Sequence, residues 1–165
     1  MVDMDSSRLR QRALVSVPEN HPLLPIEFCA VVLRASVDGV LNLIEAGRLK
    51  WSFDISTPDT RRMEVRIWQT SFLWLLERQR SNEGSESSSE TARAVVRSIL
   101  PANRPTVTST ELMARLFCSQ SHVTNLLREG ALEQVGQPVK HQGVNAIRRI
   151  ATASVARFLM RRVIK

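Results

Sequence analysis

The chain repeats itself once. Gly47-Arg48-Leu49 over Gly130-Ala131-Leu132, an offset of 83, brings Arg66-Ile67 onto Arg149-Ile150 without a gap. Between 24 and 79 this register gives 12 identities in 56 positions, among them Ser36/Ser119, Asn42/Asn125, Gly47/Gly130 and Ser71/Ser154. Chance would give roughly three or four at average composition. Apolar positions follow the same register: Ile44/Leu127, Phe72/Val155 and Leu75/Phe158. A repeat of this length restricts the fold to a small unit used twice, each near the lower size at which a domain folds alone.

Between the copies lies Ser81-Asn-Glu-Gly-Ser-Glu-Ser-Ser-Ser-Glu90, whose composition cannot bury a core. It reads as a flexible linker, with a long loop inside one domain as the alternative. The chain therefore divides into 1–80 (core 22–80), a linker at 81–90, and 91–165. The last part opens with a helix at 91–100 that Ser88 or Ser89 can cap. Charge is uneven across this division. Residues 1–80 carry 11 Lys and Arg against 10 Asp and Glu, while 81–165 carry 12 against 6. A basic half points to a polyanion, most often nucleic acid. No apolar run is long enough to span a membrane, and the first twenty residues argue against a secretory signal. Two cysteines, Cys29 and Cys118, make no disulfide framework and fit a reducing cytoplasm.

The second copy has the clearest local signals. Thr108-Ser-Thr-Glu111 is a capping box, followed by an apolar helical face of Leu112, Met113 and Leu116. Cys118-Ser119 breaks that helix, and Ser119 can cap a second one with Val123, Leu126 and Leu127 inward. Gly130 ends it, since glycine enters the left-handed region without steric cost. Two short helices joined by a tight turn suggest helix-turn-helix. The second helix turns Gln120, Ser121, His122, Thr124, Asn125 and Arg128 outward, a face without a carboxylate and rich in donors to phosphates and base edges. Ala131–Val135 and Ala146–Ile150 read as the strands of a hairpin, with Pro138 and Gly143 in the turn between. A third helix from about Thr152 buries Val155, Phe158, Leu159 and Val163.

The run TSTELMARLFCSQSHVTNLLREGAL, then a hairpin, then RRIATASVARFL, resembles the MerR/excisionase-type winged helix-turn-helix family. The resemblance covers 105–162, and 24–80 more loosely. It implies tandem winged helix-turn-helix domains, mainly α with small β-hairpins, whose recognition helix enters the major groove beside a wing on backbone or minor groove. On that pattern Ser119, Gln120, Ser121, His122, Thr124, Asn125 and Arg128 meet DNA from the helix. Lys140, His141, Arg148 and Arg149 do so from the wing. Met113 and Ala30 stand where the family often has a small residue, and Phe117-Cys118 replaces an often glycine-containing turn. A long dimerising helix and an effector domain are missing from the pattern, which favours small mobile-element proteins over ligand-sensing regulators.

The first copy differs at its surface. Its equivalent helix presents Val37, Asp38, Gly39, Leu41, Asn42 and Glu45, so two carboxylates stand where phosphates would lie. Arg48, Lys50, Arg61, Arg62 and Arg66 lie around its hairpin and can serve the phosphate backbone. Trp51, Trp68 and Trp74 hold all of the chain's tryptophan. They either complete a small core or form a contact surface, with Leu73 and Trp74 on the third helix as the interface candidates.

Cys118 and His122 lack two further ligands at metal spacing, and no phosphate loop or nucleophile elbow occurs. The expectation is therefore a non-enzyme without cofactor or metal. It binds double-stranded DNA, as a transcriptional regulator or a recombination directionality factor. The competing class is an adaptor that binds a second copy of itself or another protein through its first half.

Overall fold

The computed structural model describes residues 21–81, 90–138 and 147–164. The first half runs β1 (Leu23–Pro25), α1 (Ile26–Leu33), α2 (Val37–Glu45), β2 (Ser52–Asp54), β3 (Val65–Trp68) and α3 (Gln69–Ser81). The second half runs α4 (Ala92–Ile99), β4 (Thr106–Thr108), α5 (Ser109–Leu116), α6 (Gln120–Arg128), β5 (Arg149–Ala151), α7 (Thr152–Arg161) and β6 (Val163–Ile164). The fold is α+β, with seven helices and small antiparallel sheets among the described residues.

The offset of 83 reappears in the hydrogen bonds. Ser36 Oγ accepts from the Gly39 amide at 3.0 Å, and Ser119 Oγ from the His122 amide at 3.2 Å. Ser36 is the N-cap of α2 and Ser119 that of α6, its counterpart at the offset. Arg34 and Phe117 end α1 and α5 in the left-handed region at φ 53 and 51, and Gly47 and Gly130 sit at φ 67 and 71. The Pro22 carbonyl accepts from Gln69 N, and the Pro105 carbonyl from Thr152 N. Ser71 Oγ accepts from Lys50 N at 2.7 Å, and Ser154 Oγ from Glu133 N at 3.1 Å. The capping box at Thr108 is complete, with Glu111 accepting from the Thr108 amide.

The structure departs from the sequence reading in several places. In each half a short strand, β1 or β4, precedes the helix pair and pairs with the strand leading into the last helix. The expected strand at 131–135 reduces to one bridge between Gln134 and Ile150. The first half places its register one residue later, with Ser52 opposite Ile67 after Trp51 at φ 63, whereas in the second half Gln134 lies opposite Ile150. Helix α4 is capped by Thr91, whose hydroxyl accepts from the Ala94 amide; Ser88 and Ser89 lie outside the described residues. Helix α3 runs through Ser81, into the segment read as linker, and 82–89 lie outside the described residues. Helix α7 ends at Arg161, so Val163 is not helical.

Val163 belongs to β6, which pairs antiparallel with β2: Ser52 opposite Ile164 and Phe53 opposite Val163. The resulting sheet has the order β1-β3-β2-β6, with its last strand supplied by the second half. A division at 81–90 into two self-contained units therefore does not describe how this sheet is built.

The period of two along these strands sorts their side chains. Leu24, Val65 and Ile67 face α1, α2 and α3, in a core with Cys29, Val40, Ile44 and Phe72. Leu23, Phe53, Ile55 and Trp68 point the other way and share a core with Val95, Ile99, Leu116, Val123 and Leu159 of the second half. Their counterparts at the offset are Thr106, Gly136, Pro138 and Ala151. Four apolar side chains thus make a dock of one sheet face, and their replacements leave the other half's face without one.

Candidate nucleic-acid interface

The hinge between the halves is polar as well as apolar. Arg66 is 7% exposed. Its Nε donates to the Leu116 carbonyl at 3.1 Å and its Nη2 to the Phe117 carbonyl at 2.9 Å. The same Nη2 donates to Glu64 Oε1 at 2.8 Å. A guanidinium there satisfies carbonyls that the end of α5 leaves without intrahelical partners, and it complements the negative end of that helix. His122, on α6, has Nε2 2.7 Å from the Ile55 carbonyl and Nδ1 3.1 Å from Glu64 Oε2. Both ring nitrogens face oxygen acceptors of the first half. His21 Nδ1 lies 2.6 Å from the Ala114 carbonyl. A cleft of about 660 Å³ remains at this junction, between His21, Glu64, Arg66, Met113, Phe117 and Ser119.

Two of the sequence candidates are thereby corrected. Arg66 and His122 lie inside the junction, where their polar atoms are engaged, rather than on a surface that could meet DNA. Ser119 caps α6 with its hydroxyl. The tryptophans lie at the same junction. Trp68 meets Trp74 edge-on, with centroids 5.6 Å apart, and Trp51 and Trp74 pack against the core that both halves share. Leu73, beside them on α3, is exposed.

The remaining candidates lie on the outside. Ser121 and Arg128 are exposed on α6, with Thr124 and Asn125 half-buried on the same side. Arg128 is 71% exposed and only 3.8 Å from Glu129, a weak pair in water. Gln120 is half-buried on the far flank. Arg149 is exposed on β5; Arg148 beside it is half-buried, and its amide donates to Ser109 Oγ. Arg48, Arg61 and Arg62 are exposed, and Lys50 is half-buried. Lys140 and His141 lie outside the described residues. Face and strand together gather Ser121, Thr124, Asn125, Arg128, Arg148 and Arg149 in one half.

The sequence reading missed Phe53, Ile55, Glu64 and the pair Asp54–Arg162 as junction residues. For Phe53 and Ile55 a signal was available, since their offset counterparts are Gly136 and Pro138 rather than apolar side chains of like size; the charged residues carry no such signal. Asp54 Oδ1 accepts from the amides of Ser56 and Glu64, both at 3.0 Å, and Oδ2 lies 3.4 Å from Arg162. Burial alone would raise the Asp54 pKa. The two amides, and then Arg162, outweigh it and hold the carboxyl below its ordinary 3.8. A depressed folded pKa gives stability that is full above the unfolded value and lost as pH falls through the folded one. Melting temperature should therefore drop on acidification below about pH 4, and Asp54→Asn should flatten that limb. An unchanged acid limb in the variant would remove Asp54 from the account.

Burial pushes the Cys118 thiol up to about 12, with Arg66 lowering it and Glu64 raising it by lesser amounts. Cys29 is likewise pushed up to about 12 by burial, against a backbone hydrogen bond and with a small contribution from Glu27. At pH 8 both should react with iodoacetamide roughly three orders of magnitude more slowly than a free cysteine. Mass spectrometry before and after unfolding reads this directly; rapid labelling of folded protein would contradict the burial.

No protein-family model matches the chain, and no curated protein matches it. Among solved structures, the DIP2311 protein from Corynebacterium diphtheriae aligns at 15% identity with a TM-score of 0.22. That alignment covers 86% of this chain and 26% of the other; the likeness is too slight to carry an argument. No helix among the described residues is long and apolar enough to cross a membrane.

Proposed function

We propose that the chain is a sequence-specific binder of double-stranded DNA, built from tandem winged helix-turn-helix units, with α6 as its reading helix. It acts as a transcriptional regulator or a recombination directionality factor. One observation carries this reading. Helix α5, a left-handed turn at Phe117 and the Ser119-capped α6 leave Ser121, Thr124, Asn125 and Arg128 facing outward, and the same half carries the exposed Arg149 on β5. An asparagine amide donates and accepts together at an adenine edge, while Arg128, at the helix end, suits phosphate.

Selection from random-sequence DNA, followed by binding titrations, tests the reading. Asn125→Ala should cost about 1–3 kcal/mol on the selected site and little on other DNA. Asn42→Ala should matter less, because Asp38 and Glu45 flank it on an exposed helix. Loss of specificity from Asn42→Ala alone would move the reading head to the first half.

An adaptor role is favoured by a different observation. Val31 on α1 is 77% exposed and Val37 on α2 38%, and α2 also exposes Asp38 and Glu45. A chain that shows no salt-dependent DNA binding and is retained by a protein partner would support that role instead.

A further inference from the structure

Helix α6 is not alone on its side of the molecule. The loop between β2 and β3 starts and ends against it: the Ile55 carbonyl faces His122 Nε2, and the Glu64 carboxylate faces His122 Nδ1. The loop is closed at its base by Ile55 N donating to the Glu64 carbonyl at 3.0 Å, and by Asp54 accepting from both Ser56 and Glu64. Within it, Thr60 N donates to the Thr57 carbonyl, and the two threonine hydroxyls are hydrogen-bonded. Beyond this base Arg61, Arg62 and Met63 are exposed, with Asp59 as the loop's one carboxylate.

Position on the helix decides what such a loop can reach. Successive residues advance by about 100° around a helix. His122 therefore lies on a flank of the face formed by Ser121, Thr124, Asn125 and Arg128, not opposite it and not across it. A loop pinned to His122 stands beside that face and leaves it open. The major groove is about 12 Å wide, and a helix with its side chains is about 10–12 Å across. A structure held against one flank of a helix in the groove therefore meets the phosphates of that groove wall.

Resting on the reading proposed above, we infer that loop 56–63 of the first half is a wing for the reading helix of the second. Arg61 and Arg62 grip the phosphate backbone next to the bases that α6 contacts. The first half then serves DNA through its hairpin rather than through its own acidic second helix. One duplex segment is held by both halves as a single composite head, instead of two sites by two independent heads.

The test uses the full chain on its selected site, with hydroxyl-radical footprinting and salt titration. Wild type should protect one contiguous stretch. Arg61→Ala/Arg62→Ala should keep the same site preference and melting temperature, lose protection along one groove wall beside the α6 bases, and reduce the slope of log K against log salt by about two. Two protected patches more than a helical turn apart, or an unchanged slope in the double variant, would overturn the composite head while leaving sequence-specific binding intact. Absence of specific binding in the wild type would overturn both readings.

Discussion

Phe53→Ala should lower the unfolding free energy by about 3–5 kcal/mol, and it should do so in a single transition. Phe53 is fully buried on the sheet face that the second half covers, in one cluster with Leu116, Val123 and Leu159. Its loss opens a cavity lined by both halves, so neither half escapes the cost. All the tryptophans lie at this junction, whereas the helices are spread over both halves. Tryptophan fluorescence and far-ultraviolet circular dichroism should therefore trace the same melting curve, in the wild type and in the variant. Two separated transitions would mean that the halves fold apart and that the junction contributes little.

The second large effect compares residues that the repeat makes equivalent. Arg66→Met should lower stability by about 1.5–3 kcal/mol, the worth of hydrogen bonds to a charged group, because it strands the Leu116 and Phe117 carbonyls. It should leave the salt dependence of the proposed DNA binding nearly untouched. Arg149→Met should do the reverse. Arg149 is exposed on β5, so its loss should spare the melting temperature and reduce the salt slope by about one. Thermal melts and salt titrations on the two variants decide the matter. Equal behaviour of the pair would show that the halves use this position alike.

That comparison also marks the boundary of what the sequence could tell. Features set by neighbouring residues were legible: the Ser119 cap, the left-handed Gly130 and the capping box at Thr108. Each depends on chemistry within a few residues. The strands β1 and β4 were not read, since three residues such as Thr106-Val-Thr108 carry no usable period. Arg66 and Arg149 are the same residue in the same local string, yet one is buried and the other exposed. Their fates are set by what covers the sheet face: Phe53 and Ile55 share the core that brings the second half over Arg66, and their offset counterparts Gly136 and Pro138 supply no such dock. Likewise the outward face of α6 was foreseen from its apolar spacing. His122 left that face because a distant carbonyl and carboxylate claim its ring, and nothing within α6 announces them.

The pairing of β6 with β2 bears on how the chain reaches its native state. Ser52 opposite Ile164 closes a loop of about 110 residues, a contact of high sequence separation whose closure entropy must be met before it gains anything. Until β6 arrives, the outer edge of β2 presents unpaired amides and carbonyls beside Phe53, an edge on which another chain's strand can add. Slow refolding and concentration-dependent aggregation should thus go together in this protein. Dilution during refolding should protect it more than lengthening the connection between the halves would harm it, since each doubling of such a loop costs only about 0.6 kcal/mol.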